Sequence, residues 1–326
     1  MNIKLIFLAI GILIIVSCGP QKSDELGYYT IIDSVRLTEH AMLYPMKLFE
    51  ENTIIAIDIY SKEVQIISLQ TGNVISRYQR KGKGPGELLD PCSIIFFENQ
   101  VWIGDRKNNK IINLEYDEGN FTFIKEFKLA SNFFDITIIN NEYLLISVWG
   151  NEFNSFLYDL EGNFIKKYNL IDSSENITTN TDLWNNTTFS RSHGNYIITT
   201  SLISKELFLY KFHANNHFQL ISKYKINDYE NGYRTKDTGQ FVGLADSFVF
   251  QDGFYISVNP KISLNRYFFY SFDYTGTYIG KFQIKDYHFT EICAITFSEN
   301  SDTLWFMDTV NNDKIIFIAS LSVVYK

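Results

Sequence analysis

Residues 79–91, QRKGKGPGELLDP, alternate three glycines, Gly82, Gly84 and Gly86, with Lys83 and Pro85, and close on Glu87. Glycines beside lysines are the composition of a phosphate cradle, in which backbone N–H groups point at anionic oxygens. The spacing argues against that chemistry. A Walker loop needs GxxxxGK followed by Ser or Thr, between a strand and a helix. Gly84-Pro85-Gly86-Glu87 offers no such Lys-Ser/Thr, and the CSIIFF that follows reads as a strand. A dinucleotide GxGxxG also needs a helix N-terminus to receive the pyrophosphate. The glycines are therefore expected to let the chain turn between two strands, since glycine permits a positive φ where other residues pay for it. Pro91 sets the start of the second strand.

Other chemistry-bearing residues are scattered. Asp58, Asp105 and Asp308 each end an apolar run. A metal-binding trio is one reading. Aspartates that hydrogen-bond backbone N–H groups of the following turn are the favoured one. Asp135, Asp246 and Glu291 stand before apolar strands and could gather oxygen ligands for Ca²⁺. His193 or His288 would then move the proton in a calcium-dependent, lactonase- or esterase-like hydrolysis. Nothing in their spacing demands this, and His193, in SRSHGN, falls in a turn at the opposite end of its strand. GxSxG, HExxH and CxxC are absent from the sequence. No catalytic residue and no cofactor are therefore expected, with calcium as the alternative. Cys92 and Cys293 fall on equivalent strands of separate repeats and are expected to be free, buried thiols.

The elements that must position these residues are short strands. TIIAIDIY, VWIGD, KIINLEY, FTFIKEFK, EYLLISV, ELFLYKF and KIIFIAS are rich in β-branched and aromatic residues, and turn residues separate them. No stretch sustains a 3.6-residue apolar period with caps, so the chain is expected to be all-β. VWIGDRKNNKII, from Val101, and LWFMDTVNNDKII, from Leu304, are two copies of one pattern. Further copies start at Ile54, Tyr143, Tyr196 and Phe254, at spacings of 47, 42, 53, 58 and 50 residues along the chain. Turns LQTGN, YDEGN, YDLEGN and FDYTGT recur inside them, with Asn215-Asn216 in that place in the fourth.

Four strands recurring every ~40–50 residues predict the blades of a β-propeller. The expected fold is a six-bladed β-propeller of four-stranded blades over residues 28–326. In the second blade the strands are predicted at 92–97, 101–105, 110–116 and 121–128. The sixth has strands near 293–298, 304–308 and 314–321, and lacks its outer strand. YYTIIDSVRL, residues 28–37, is expected to supply it and so close the ring, which would otherwise leave an unpaired edge. Trp102 and Trp305 recur at one repeat position and are expected between blades.

GKGPGELLDPCSIIFFENQVWIGDRKNNKI resembles an NHL-type repeat. The N-terminus also carries a resemblance. A positive MNIK and the apolar run LIFLAIGILIIV precede Ile15-Val16-Ser17-Cys18. The run is too short to span a membrane and suits a secretory leader. Ile15–Cys18 is similar to the bacterial lipobox, which implies a signal peptide over 1–17 and lipid on Cys18. Residues 18–27 are then a tether, and Asp24-Glu25 resembles a surface-export signal. The whole chain looks like the six-bladed, TolB-like propeller lipoproteins of Bacteroidetes. That resemblance implies an outer-membrane lipoprotein at the cell surface, with the periplasmic face as the alternative. It implies no single activity. Blades three, four and five depart from the pattern, with Ser147, Thr200 and Ser257 near the place of the aspartate.

Long, polar loops on a rigid scaffold carry binding. Loops 171–186 and 227–245 are expected on the face shared by Arg80, Lys83, Glu87, Arg106, Trp149, Trp184, Tyr233 and Arg234. Trp149 and Trp184 suit stacking on a sugar ring or a peptide side chain. The expected activity is non-catalytic binding of a ligand or of a protein, peptide or glycan partner. The formal charge of -8 argues against nucleic acid.

Overall fold

The structure is a computed structural model. It describes residues 26–39, 42–50, 52–148, 153–171, 188–201, 206–226, 233–234, 241–259, 268–285, 287, 294–298, 302–310 and 313–322. The expected signal peptide over 1–17, Cys18 and most of the expected tether lie outside them. All regular elements among these residues are strands, and the fold is an all-β propeller.

The chain opens on β1 (Leu26–Arg36). A first sheet follows, β2 (Leu43–Glu50), β3 (Thr53–Asp58), β4 (Glu63–Ser68) and β5 (Val74–Tyr78). The second is β6 (Pro91–Phe97), β7 (Gln100–Asp105), β8 (Lys110–Asp117) and β9 (Asn120–Lys128). The third is β10 (Phe133–Ile139), β11 (Tyr143–Val148), β12 (Ser155–Asp159) and β13 (Phe164–Tyr168). The fourth is β14 (Thr188–His193), β15 (Tyr196–Ser201), β16 (Glu206–His213) and β17 (His217–Lys225). Each is an antiparallel meander in chain order.

The remaining strands are β18 (Tyr233–Arg234), β19 (Phe241–Val249), β20 (Gly253–Asn259), β21 (Phe268–Asp273), β22 (Tyr278–Ile284), β23 (Ala294–Phe297), β24 (Thr303–Val310) and β25 (Asp313–Ser322). Together with β1 they form one sheet of nine strands, in the order β18-β19-β20-β21-β22-β1-β25-β24-β23. Here the structure departs from six separate sheets. The cause is β1, which pairs along both of its edges. It runs antiparallel to β25, from Tyr28 opposite Ser322 to Arg36 opposite Ile315. It also runs parallel to β22, from Leu26 opposite Lys281 to Tyr29 opposite Ile284. The expected union of the N-terminal strand with the last strand is thus present, and it begins at Leu26 rather than at residue 28. A second correction concerns 227–245, expected to be a loop. Tyr233–Arg234 pairs there with Phe241–Val242, and β19 runs on from that point.

Strand composition follows depth. The second strand of a sheet is covered on both faces by neighbouring sheets, so β3 and β7 are buried almost throughout. An outer strand such as β9, NFTFIKEFK, alternates between exposed and half-buried positions. The repeated turns take left-handed backbone at Gly72, Gly119, Gly162 and Gly276, and at Asn216 in the fourth copy. Apolar clusters lie between successive sheets. Ile57 and Ile66 meet Ile94 and Ile103 between the first and second. Trp102 meets Phe133 and Ile146 between the second and third. Trp305 and Met307 of β24 meet Leu43 and Ile54 of the first sheet, which joins the end of the chain to its beginning. Both tryptophans are buried between sheets, as expected.

Candidate functional site

The first strands of the sheets face a central channel, and several are bulged near their starts. The ladder shifts between Leu43 and Met46 in β2, between Pro91 and Ser93 in β6, between Phe133 and Asp135 in β10 and between Leu244 and Asp246 in β19. A bulge re-aims the side chains beside it. These bulges bring Tyr44, Pro45, Cys92 and Phe134 onto one cavity of about 530 Å³.

The end of β7 organises the mouth of that cavity. Asp105 is fully buried. Its carboxylate accepts the amides of Leu89 at 2.8 Å, Asp90 at 2.9 Å and Asn108 at 3.3 Å. Asp58 does the same one sheet earlier, accepting Met42 N at 3.2 Å, Tyr60 N at 3.1 Å and the Ser61 hydroxyl at 2.6 Å. Tyr287 donates to Asp308 at 2.9 Å. The three aspartates lock backbone and side chains and do not converge. In the third sheet a different bond does the tying: Asn154, just before β12, accepts Leu170 N, just after β13, at 2.9 Å.

The glycine loop is folded on itself. The amides of Gly82, Glu87 and Leu88 donate to carbonyls within 80–88. Gly84 N donates to Glu87 at 2.8 Å and Gly86 N to Glu126 at 2.9 Å. Glu126 also holds the buried Lys110 ammonium at 2.7 Å, and Lys110 reaches Gly84 O at 2.8 Å. The amides of all three glycines are therefore committed, and a carboxylate already sits among them. A Cβ on Gly82 would fall 2.1 Å from Glu87 Oε2, and Gly86 has φ 69° with Tyr78 and Phe123 closing on it. The loop is a turn, as expected.

Asp90, which Asp105 holds by its backbone, binds two cations. Arg106 donates to its Oδ2 through Nε at 2.9 Å and Nη2 at 2.7 Å, and Lys62 donates to its Oδ1 at 3.0 Å. Burial pushes the Asp90 carboxyl up, but the hydrogen bonds from Arg106 and Lys62 more than offset it and hold it below its ordinary range. Deeper in the channel Asp135 is ion-paired with Arg191 and accepts the Ser93 hydroxyl at 2.6 Å. A second cavity of about 470 Å³ continues past Lys47 and Arg191 toward Ser247, Phe250 and Thr296.

Of the residues expected on the binding face, Arg80 and Lys83 are exposed, Glu87 braces the glycine loop, and Arg106 lines the cavity. Trp149 and Trp184 lie outside the described residues. Tyr233 and Arg234 are described as backbone in β18 only. Asp246 takes the register position of Asp135, just after a bulge, and its side chain is not described. Glu291, His288 and Cys293 lie outside the described residues. His193 ends β14, its ring 6.0 Å from that of Tyr274. Cys92 is a free thiol, as expected, but half-buried at the cavity rather than fully buried. Burial pushes it up to about 12, and its Sγ lies 3.6 Å from Gly104 O and 3.7 Å from Phe134 O.

No family model and no curated protein sequence matches the chain. Solved structures do resemble it in fold. One is a Bacteroides fragilis protein classed as exported, with a TM-score of 0.60 at 11% identity, covering 94% of this chain and 98% of that one. Streptogramin B lyase superposes with a TM-score of 0.55 at 11% identity, over 92% and 100% of the two chains. The β-propeller domain of Cps50 from Myceliophteria thermophila gives 0.53 at 10% identity, over 90% and 100%. At such identities the likeness establishes a propeller and nothing about activity.

Proposed function

We propose that this chain is a six-bladed propeller lipoprotein, held to the outer membrane at the cell surface by lipid on Cys18, that binds a ligand or partner protein through its long-loop face, at the mouth of the channel, without catalysis. The six-blade reading divides the nine-stranded sheet at the β22–β1 seam, giving β19–β22 as one blade and β23–β25 with β1 as another. It is supported by the apolar clusters between sheets, one of which lies across that seam and joins Tyr29, Phe269 and Phe297. The binding reading rests on one observation. A cavity of small-molecule size opens between the loop that ends in Asp90 and the turns that carry Lys62 and Arg106. The calcium-hydrolase alternative has less support. Asp135, the one of its three carboxylates whose side chain is described, is already taken by Arg191 and Ser93.

Affinity capture of the intact lipoprotein from its native membrane tests the proposal. A partner should be retained by the wild type and lost from the Trp184→Ala/Tyr233→Ala double variant. Equal retention by both removes that face from the account. Metabolic labelling with a fatty-acid analogue should mark the wild type and leave Cys18→Ala unlabelled. Calcium should give no thermal stabilisation; a clear rise in Tm would revive the hydrolase.

A further inference from the structure

The channel mouth has a charge opposite to that of the chain. The protein carries a formal charge of -8. The described side chains lining the 530 Å³ cavity include four cations, Lys47, Lys62, Arg106 and Arg191, and two carboxylates, Asp90 and Asp135. At the mouth the imbalance is local: Lys62 and Arg106 share the single carboxylate of Asp90. Both remain accessible, with side chains 30% and 38% exposed.

The arrangement is built, not adventitious. Arg106 is tied to Asp90 twice, by its guanidinium and by its own amide on Asp90 O at 3.0 Å. Among the described residues its Nη1 has no partner, so one guanidinium edge is left for a ligand. Lys62 has φ 62°, a left-handed conformation that favours Gly or Asn. The equivalent turn of the next sheet places Asn109 there, at φ 50°. A lysine held in that conformation is a local strain of the kind that marks functional positions. Its side chain reaches Asp90 beside Arg106. Behind this cationic pair the cavity wall is apolar and aromatic, formed by Tyr44, Pro45, Ile59 and Phe134.

We propose that the channel mouth binds a small organic anion, a carboxylate on an apolar body, with Arg106 and Lys62 on the carboxylate and the aromatic wall on the body. Arginine suits a planar carboxylate because its donors lie in a fixed plane. The inference rests on the binding reading above and names the class of ligand for it.

The test is ligand-observed NMR with the full lipoprotein in detergent, using benzoate, its neutral counterpart benzamide, and inorganic phosphate. Benzoate should bind saturably, and benzamide and phosphate at least about tenfold more weakly, since one lacks the charge and the other the apolar body. Arg106→Gln should weaken benzoate by about tenfold or more. Lys62→Gln, a surface change that keeps the fold, should do the same if Arg106→Gln misfolds. Equal binding of benzamide, stronger binding of phosphate, unaltered affinity in the folded variants, or no benzoate binding would each overturn the proposal. Loss of benzoate binding with partner capture intact would sink this inference alone. Benzoate binding with capture unaffected by the Trp184/Tyr233 change would sink the partner face alone.

Discussion

Asp105 holds Asp90, and Asp90 holds the residue next to Asp105. The Asp105 carboxylate accepts the Asp90 amide at 2.9 Å, and the Asp90 carboxylate accepts the Arg106 guanidinium at 2.7 Å. Removing Asp105 should therefore do two things. Asp105→Ala orphans the part-buried amides of Leu89 and Asp90 and should lower the unfolding free energy by about 2 kcal/mol in urea melts. It should also weaken benzoate binding, because Arg106 loses its fixed partner. Asp105→Asn, which keeps one acceptor, should be milder on both counts.

The Asp90 carboxyl has a folded pKa below its ordinary 3.8, where hydrogen bonds from Arg106 and Lys62 outweigh burial. A depressed carboxyl contributes stability that is fully present above its unfolded pKa and lost as pH falls through its folded one. Melting temperature should therefore fall on acidification below about pH 4, more steeply in the wild type than in Asp90→Asn. Parallel acid limbs in the two proteins would contradict the assignment.

Lys110 is buried and paired with Glu126 against the glycine loop. Truncating one partner of a buried pair leaves the other without compensation. Lys110→Ala should destabilise by about 3 kcal/mol and loosen the backbone of 82–88, read as faster amide exchange at Gly84 and Gly86.

Tyr29 of β1 is fully buried against Phe269, Phe282 and Phe297. Tyr29→Ala should cost about 4 kcal/mol in equilibrium unfolding. A loss below about 1 kcal/mol would mean that β1 is not a working part of the ring.

The Cys92 thiol, pushed up to about 12 by burial, should resist maleimide at pH 8 in the native protein and react once urea unfolds it. Peptide mapping by mass spectrometry reads this at Cys92 itself.

Much of the scaffold was legible because it repeats. The bounds predicted for the second blade match β6 to β9 within about two residues, and Asn216 takes the left-handed place that glycine fills in the other turns. Residues 28–37 were placeable because one repeat lacked a strand and the N-terminus had one to spare. The fusion of β1 with β22 was not legible, since pairing between neighbouring sheets leaves no periodicity in either strand. The mouth of the channel was half legible. Arg106 was expected on this face, but Asp90, Lys62 and Arg191 were not. Their contacts join segments up to 56 residues apart and depend on bulges that composition does not mark. One signal was present: in the aligned repeats a lysine stands at 62 where an asparagine stands at 109.

The two-sided pairing of β1 has a mechanical consequence. A pull on the amino terminus along the axis of β1 would load its ladders to β22 and β25 in shear, with many hydrogen bonds sharing the force instead of peeling in turn. Resistance to such a pull is set by the unfolding rate rather than by equilibrium stability. If the lipid proposed on Cys18 moors the protein by that end, drag from its surroundings would fall on a reinforced joint.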